Sequence, residues 1–545
     1  MRRLPLALSL ALLVACQQAT PPTSATPTAA TAAARPAFAF EEATIAELQQ
    51  KMQSGALTSH ALVQAYLDRI KAVDSAGPAL NAVIELNPDA LKDADTLDAE
   101  RKAGKIRGPL HGIPVLLKDN IDAIPMVNSA GSLALADNRP ATDAALVARL
   151  RAAGAVILGK TNLSEWANFR STHASSGWSG RGGQTRNPYV LDRNPCGSSA
   201  GTGTAISANL ATIGVGTETD GSILCPASMT GLVGIKPTLG LVSRGGIIPL
   251  AHSQDTAGPM ARSVADAAAL LTAMAGPDPA DPATTDSAAH ATDYTHALQP
   301  GTLRGKRIGI VRQLAGIEPN ADRALEAAIA ILKAQGAIIV DPVEVPNINA
   351  LGADEFTVLL YEFKHDIASY LAHANVPSKS LADLIAFNQA HADRELPWFG
   401  QELFEQAQAK GPLTDKAYLD ALARMKQRAG PEGIDAALKS HQLDALLAPS
   451  WGPAFPTDPL LGDHVVSGDP TIGGVSQIAA VAGYPSITVP ATMAHGLPVG
   501  IVFMGAKWSE PTLIAIAYGF EQASHARQPP RFLPTLVTTR PQPAH

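Results

Sequence analysis

The sequence predicts an α/β fold, a layered sheet with helices on both faces. Three observations predict it. Thr142-Asp143 opens an amphipathic run, DAALVARLRAAG, that stops at Gly154 and passes straight into the apolar run AVIL. The same helix-then-strand order returns in RALEAAIAILKAQG followed by AIIV. Late in the chain ALLAPS, SITVP and VGIVFMG are short and apolar, as buried strands are, and TLIAIAYGFEQAS closes as a helix.

The elements follow in order. MRRLPLALSLALLVAC has two arginines, a short apolar run and a small residue before Cys16. This is the form of a signal peptide over residues 1–15, too short to span a bilayer. Leu13-Val14-Ala15-Cys16 resembles a bacterial lipoprotein box, which implies cleavage before Cys16 and lipid attachment to it. The alternative is an ordinary secretory signal with an incidental cysteine. Either way the mature chain is expected outside the cytoplasm, as a lipid-anchored or periplasmic protein whose only membrane contact is the anchor. Residues 16–38 are rich in Ala, Thr and Pro and form a tether. Residues 39–535 form one domain, and 536–545 a tail. Within the domain, 43–73 carries apolar residues at helical spacing, with Ile45, Leu48, Leu62, Tyr66 and Ile70 in register. The Pro- and Ala-rich stretch near 276–300 reads as a surface loop.

Composition excludes several classes of function. The 545-residue chain is 46% apolar and 17% charged, with a formal net charge of −7. It has no long basic run, so no nucleic-acid partner is expected. Three cysteines, Cys16, Cys196 and Cys225, make no disulfide framework. No C-x-x-C pair or H-E-x-x-H stands in the chain, so no metal is expected.

Two familiar motifs mislead. Gly154–Thr161, GAVILGKT, matches the phosphate-binding pattern G-x-x-x-x-G-K-[ST]. A phosphate cradle needs a loop of exposed N–H groups, whereas these intervening residues are an apolar strand. Gly197–Gly201, GSSAG, matches the nucleophile elbow G-x-S-x-G, which would make Ser199 the nucleophile. An elbow needs a buried strand leading into the serine. Here RNPYVLDRNPC leads in, and Pro188 and Pro195 make it a loop. His252 and Asp255 follow later, but in no recognisable partner motif.

Three other stretches carry chemistry. In PLHGIPVLLKDNID, Lys118 ends an apolar run, where dry surroundings would make it neutral and basic. The second stretch is CGSSAGTG. The third, GVGTETDGSILCPASMTGLVGIKPT, holds a tight Gly216–Ser222 turn whose N–H groups could converge on one oxyanion. Taken together, these stretches resemble the amidase signature family, which also shows GKTNLSEWANFRS and LPVGIVFMG in this order. The TETDGSI form is closest to the bacterial peptide amidases.

The resemblance implies the amidase signature fold, a large mixed twisted sheet covered by helices on both faces. It implies an amide hydrolase that needs no cofactor. Lys118 matches the family's base, Ser198 its bridging serine with a cis backbone, and Ser222 its nucleophile. The N–H groups of Thr219, Asp220, Gly221 and Ser222 match its oxyanion loop. Three residues depart from the family pattern: Glu218 for Asp, Asp220 for Gly and Leu224 for Arg. Asp220 puts a carboxylate beside the nucleophile, where it either meets the substrate or holds the loop by local hydrogen bonds. The segment Ser164–Arg186 is expected to form part of the pocket wall near Ser171 and Thr172. Cys196 and Cys225 flank the two serines. They are expected as buried thiols, with a disulfide as the alternative. The substrate expected is a C-terminal peptide amide. Small amides or esters, the amidase subunit that serves glutaminyl-tRNA formation, and a non-catalytic binding lipoprotein are the alternatives. Oligomeric state is left open.

Overall fold

The computed structural model describes residues 38–467 and 475–536. The signal segment, Cys16, the tether up to residue 37 and the tail beyond 536 lie outside the described residues.

β1 (Val83–Leu86), β2 (Pro114–Lys118) and β3 (Val156–Thr161) come first. β4 (Trp178–Ser179) and β5 (Gly183–Gln184) pair as a separate hairpin. β6 (Ile213–Glu218), β7 (Val233–Lys236) and β8 (Thr256–Ala261) follow. The last five are β9 (Arg307–Ile310), β10 (Ile338–Val340), β11 (Ala445–Pro449), β12 (Ser486–Ala494) and β13 (Leu497–Met504). Eleven of these strands form one sheet in the order β1-β3-β2-β6-β8-β7-β12-β13-β11-β9-β10. The sheet is mixed. β2 runs parallel to β3 and β6, while β6 is antiparallel to β8 and β12 to β13.

Both faces are buried, because successive side chains on a strand point to opposite sides. Ile501 and Phe503 of β13 join one apolar cluster, and Val502 and Met504 join another. β11 divides the same way, with Ala445 and Leu447 on one side and Leu446 and Ala448 on the other. This is the layered sheet that the apolar runs predict.

Local chemistry sets the helices. The periodic stretch 43–73 forms two α-helices, Ile45–Gln53 and Ser59–Arg69, continued by a π-turn at Ile70–Asp74. Gly55, at φ +75°, separates them, and Thr44 and Thr58 cap their N-termini. The helix Ala145–Ala152 ends at Gly154 and leads into β3. Pro319–Ala334 leads into β10 in the same manner. Residues 276–300 hold three short 3-10 turns. Between β10 and β11 lies a helical region that the sequence reading did not anticipate, including the 22-residue helix Gly352–His373.

The phosphate-loop look-alike is strand β3, as its apolar residues require. Lys160 is fully buried, with Nζ 3.2 Å from Asp119 Oδ1 and from the Val127 carbonyl.

Candidate active site

The sheet itself brings Lys118 to its partners. β2 and β6 are neighbouring parallel strands, with Leu117 opposite Val215. Lys118 therefore leaves β2 level with the C-terminal end of β6. Its Nζ lies 2.7 Å from Ser198 Oγ, 2.8 Å from Thr217 Oγ1 and 3.3 Å from the Thr217 carbonyl. Asn120 Nδ2 donates to the same Thr217 hydroxyl at 3.0 Å. Lys118 has no solvent exposure. Burial pushes its ammonium down to about 7, and the charges of Asp255 and Glu218 oppose this only in part. Near neutral pH the amine is thus half deprotonated.

Among the described residues, the loop that carries Ser198 makes ladder contacts only as isolated bridges, Val190 to Leu533 and Arg193 to Pro456. Backbone bonds, such as Asn194 N–H to the Phe455 carbonyl at 2.7 Å and Leu191 N–H to the Leu533 carbonyl at 2.8 Å, hold that loop together with side chains. Asn194 Nδ2 donates to the Ser176 carbonyl at 3.0 Å, and Asn194 Oδ1 accepts from the Cys196 N–H at 2.8 Å. The Gly197–Ser198 peptide is cis. A Cβ at Gly197 would stand 2.1 Å from Ser164 Oγ, so only glycine fits there.

Ser199 occupies a structural position. Its Oγ donates to the Thr217 carbonyl at 3.1 Å and accepts from the Thr217 N–H at 3.2 Å. His252 pairs instead with Asp366, and Asp255 accepts from Thr219 Oγ1. Among the described residues no His or Asp stands within hydrogen-bond distance of Ser199 Oγ, as an elbow triad would require.

Ser222 stands on the turn after β6 and is 8% exposed. Glu218 organises this turn. Its Oε2 accepts from the N–H groups of Ile223 at 2.7 Å and Leu224 at 3.0 Å. Burial raises the Glu218 carboxyl; the nearby Lys236 ammonium and the N–H groups of Ile223, Leu224 and Gly221 hold it down. Trp451 and Ser476 press against Gly221, which sits at φ +77°. Asp220 is raised well above the usual carboxylate range, first by burial and then by the Glu355 charge, and hydrogen-bonds Ser476. Gln254 and Gln477 hold Glu355 at 2.8 and 2.7 Å. The Ser199 N–H donates to the Ser222 carbonyl at 3.1 Å and joins the two serine segments.

The cysteines depart from expectation. Cys196 and Cys225 are joined as a disulfide, with their Cα atoms 5.9 Å apart, and are not free thiols. The approach of the two serine segments brings them within bonding reach.

Ser171 and Thr172 are both tied to Glu402. Ser171 Oγ donates to Glu402 Oε1 at 2.8 Å, and the Thr172 N–H donates to the same oxygen at 2.7 Å. The 164–186 segment borders the site through Ser164 and Ser176, which lie against Gly197. A cavity of about 430 Å³ adjoins Asn120, Thr217 and Thr219 and is lined also by Ala167, Ile248 and Asp255. Sequence reasoning passed over Thr217, Asn120 and Trp451. The first two stand inside quoted motifs, TETDGSI and LLKDNID, beside the residues that were chosen.

Among the described residues His252, Glu362 and Asp366 bring metal-capable atoms within 4.8 Å of one another. All three already have partners: His252 Nδ1 lies 2.8 Å from Asp366 Oδ2, and Glu362 accepts from the Tyr418 hydroxyl at 2.7 Å.

The family model described as Amidase matches residues 61–514. The chain belongs to the amidase family. It is an amide hydrolase of the amidase signature type. It is 42% identical over 509 residues to a probable amidase of Arabidopsis thaliana, covering 91% of this chain and 93% of that one. The native peptide amidase of Stenotrophomonas maltophilia superposes with a TM-score of 0.86 at 56% identity, covering 91% of this chain and 100% of that one. One of the subunits of the glutamyl-tRNA(Gln) amidotransferase of Moorella thermoacetica is 34% identical over 498 residues, covering 89% of this amidase and 97% of its relative.

Proposed function

We propose that this amidase removes the C-terminal carboxamide of peptides as ammonia, through an acyl-enzyme on Ser222. The observation that carries the chemistry is Lys118, half neutral at about pH 7 and 2.7 Å from Ser198 Oγ. Ser222 Oγ attacks the amide carbon and gives its proton to Ser198, which gives its own to Lys118. The carbonyl oxygen becomes an oxyanion beside the backbone N–H groups of the 219–222 turn. The C–N bond then breaks as the relay returns the proton to nitrogen, and ammonia leaves. Water enters by the same relay, its hydroxyl joins the acyl carbon, and Ser222 regains its proton.

The preference for peptides rests on the likeness to the Stenotrophomonas enzyme. The alternative substrates, small amides or esters, would use the same residues. A tRNA-linked amidotransferase role finds less support. The N-terminus has the form of an export signal, and the Cys196–Cys225 bridge suits an oxidising compartment. We accordingly propose export, with Cys16 as the lipid anchor. Ammonia release from peptide amides, free amino-acid amides, simple amides and glutamine tests the substrate. Fastest release from peptide amides supports this reading, and fastest release from simple amides or glutamine overturns it.

A further inference from the structure

We infer that the Cys196–Cys225 disulfide is a positioning element for hydrolysis, setting the approach of Ser198 to Ser222. The inference rests on the reading of Ser222 as nucleophile and Ser198 as bridge.

The placement of the bridge carries the argument. Cys196 precedes Ser198 by two residues, and Cys225 follows Ser222 by three. The cross-link therefore ties the two serine segments almost at the serines themselves. The segments differ in how firmly the fold holds them. Ser222 follows directly on β6, and the helix Leu224–Met229 begins just after it. Ser198 is followed by the buried helix Ala200–Ser207, but upstream it follows a loop fastened by isolated bridges, scattered backbone bonds and side chains, with no strand or helix leading into it. Close to the serines, one backbone hydrogen bond joins the segments, from Ser199 N–H to the Ser222 carbonyl. The Ser198 carbonyl accepts from the Ser164 N–H at 3.0 Å, but Ser164 belongs to a third segment and does not fix Ser198 to Ser222. Ser199 Oγ adds two bonds to the Thr217 backbone, so the hydrogen bonds between the two segments cluster at Ser199, on the C-terminal side of Ser198. The disulfide supplies a second, covalent point of attachment on the other side of Ser198.

Cys196 itself shows the constraint. It stands at φ +61°, a left-handed conformation that a residue with a Cβ keeps only when its surroundings hold it there. The sulfur bridge and the Asn194 Oδ1 bond to its N–H are what hold it. Cys225 is nearly fully buried, whereas Cys196 is partly open to solvent, so a small reductant has access to one sulfur. A proton relay is sensitive to this kind of slack, since a displacement of about 1 Å can cost on the order of 10²-fold in rate.

The test uses the full chain prepared under oxidising conditions. Dithiothreitol gives two electrons and two protons to the bridge, leaving two thiols and its own cyclic disulfide. Alkylation before and after this step, read by mass, should show Cys196 and Cys225 blocked at first and free afterwards. On a peptide amide, well below the melting transition, kcat should fall roughly ten- to a hundredfold while KM changes by less than about twofold. The rate at which a phosphonate labels Ser222 should fall in parallel, and reoxidation should restore both. The Cys196→Ala/Cys225→Ala variant should match the reduced enzyme. If that variant does not fold, the reduced wild-type chain gives the same reading. A reduced enzyme that keeps its kcat and labelling rate while only its melting temperature drops would make the bridge a simple staple and overturn the inference. So would thiols that are free before reduction. The labelling rate reads serine geometry even if no peptide amide is a substrate, so the two readings fail separately.

Discussion

Lys118 Nζ and Ser198 Oγ are 2.7 Å apart, on two segments separated by 80 residues of chain. With Lys118 titrating at about 7, the rate should depend on the free amine. The folded-state value is depressed, so the base is lost as pH falls through 7 and not as it rises. We expect kcat/KM to drop about tenfold per pH unit below 7 and to level off above it. A pH–rate profile checks this; a flat profile between pH 5 and 7 would sink the role of Lys118. Lys118→Arg keeps a permanent charge, and should lose roughly 10³-fold with the fold intact by circular dichroism.

Ser222 and Ser199 should separate cleanly. Ser222→Ala should abolish both ammonia release and labelling by a serine-reactive phosphonate. Ser199→Ala removes hydrogen bonds to the Thr217 backbone and should cost about 1 kcal/mol of stability, with turnover near wild type. Loss of turnover in Ser199→Ala alone, with Ser222→Ala active, would restore the elbow reading.

Glu218 holds the turn that presents Ser222. Glu218→Ala leaves the Ile223 and Leu224 N–H groups without their acceptor and removes one of the carboxyl groups beside Lys236. The expected cost is about 3 kcal/mol in a urea unfolding curve, together with a lower kcat. Unchanged stability would show that the turn stands without it.

Arg170 is the largest fully buried side chain among the described residues. Its guanidinium lies 4.4 Å from the Phe399 ring and 5.4 Å from the Trp178 ring, and Nε is 3.2 Å from Glu165 Oε1. Arg170→Ala removes the cation beside the buried Glu165 and its packing on both rings, and should cost about 3–5 kcal/mol, seen as a fall in melting temperature. Arg170→Lys should recover little, because an ammonium cannot stack on both rings.

Much of this was legible in the residues. Lys118, Ser198 and Ser222 stand in motifs, and the apolar runs at β3, β11, β12 and β13 announce a buried sheet. The partners of Lys118 were harder to see. Thr217 faces the lysine because β2 and β6 are neighbours, and strand adjacency cannot be read along one chain. The Cys196–Cys225 bond stood only as the alternative to buried thiols for the same kind of reason, since it depends on how closely two distant turns pack. Ser171 and Thr172 were chosen by composition, and the decisive fact about them is Glu402, some 230 positions away. The helix Gly352–His373 carries its apolar face toward a satellite cluster around Phe363 and Phe404, apart from the main sheet periodicity.

The pairing of β2 with β6 has a consequence for redesign. The base and its Thr217 partner are aligned by a ladder of backbone bonds, which no surface loop helps to form. The exposed residues of the 164–186 segment, such as Thr172 and His173, can therefore be exchanged to alter which amides enter. Such exchanges would leave the proton-accepting nitrogen in register, provided they keep the small residues that let Gly197 approach.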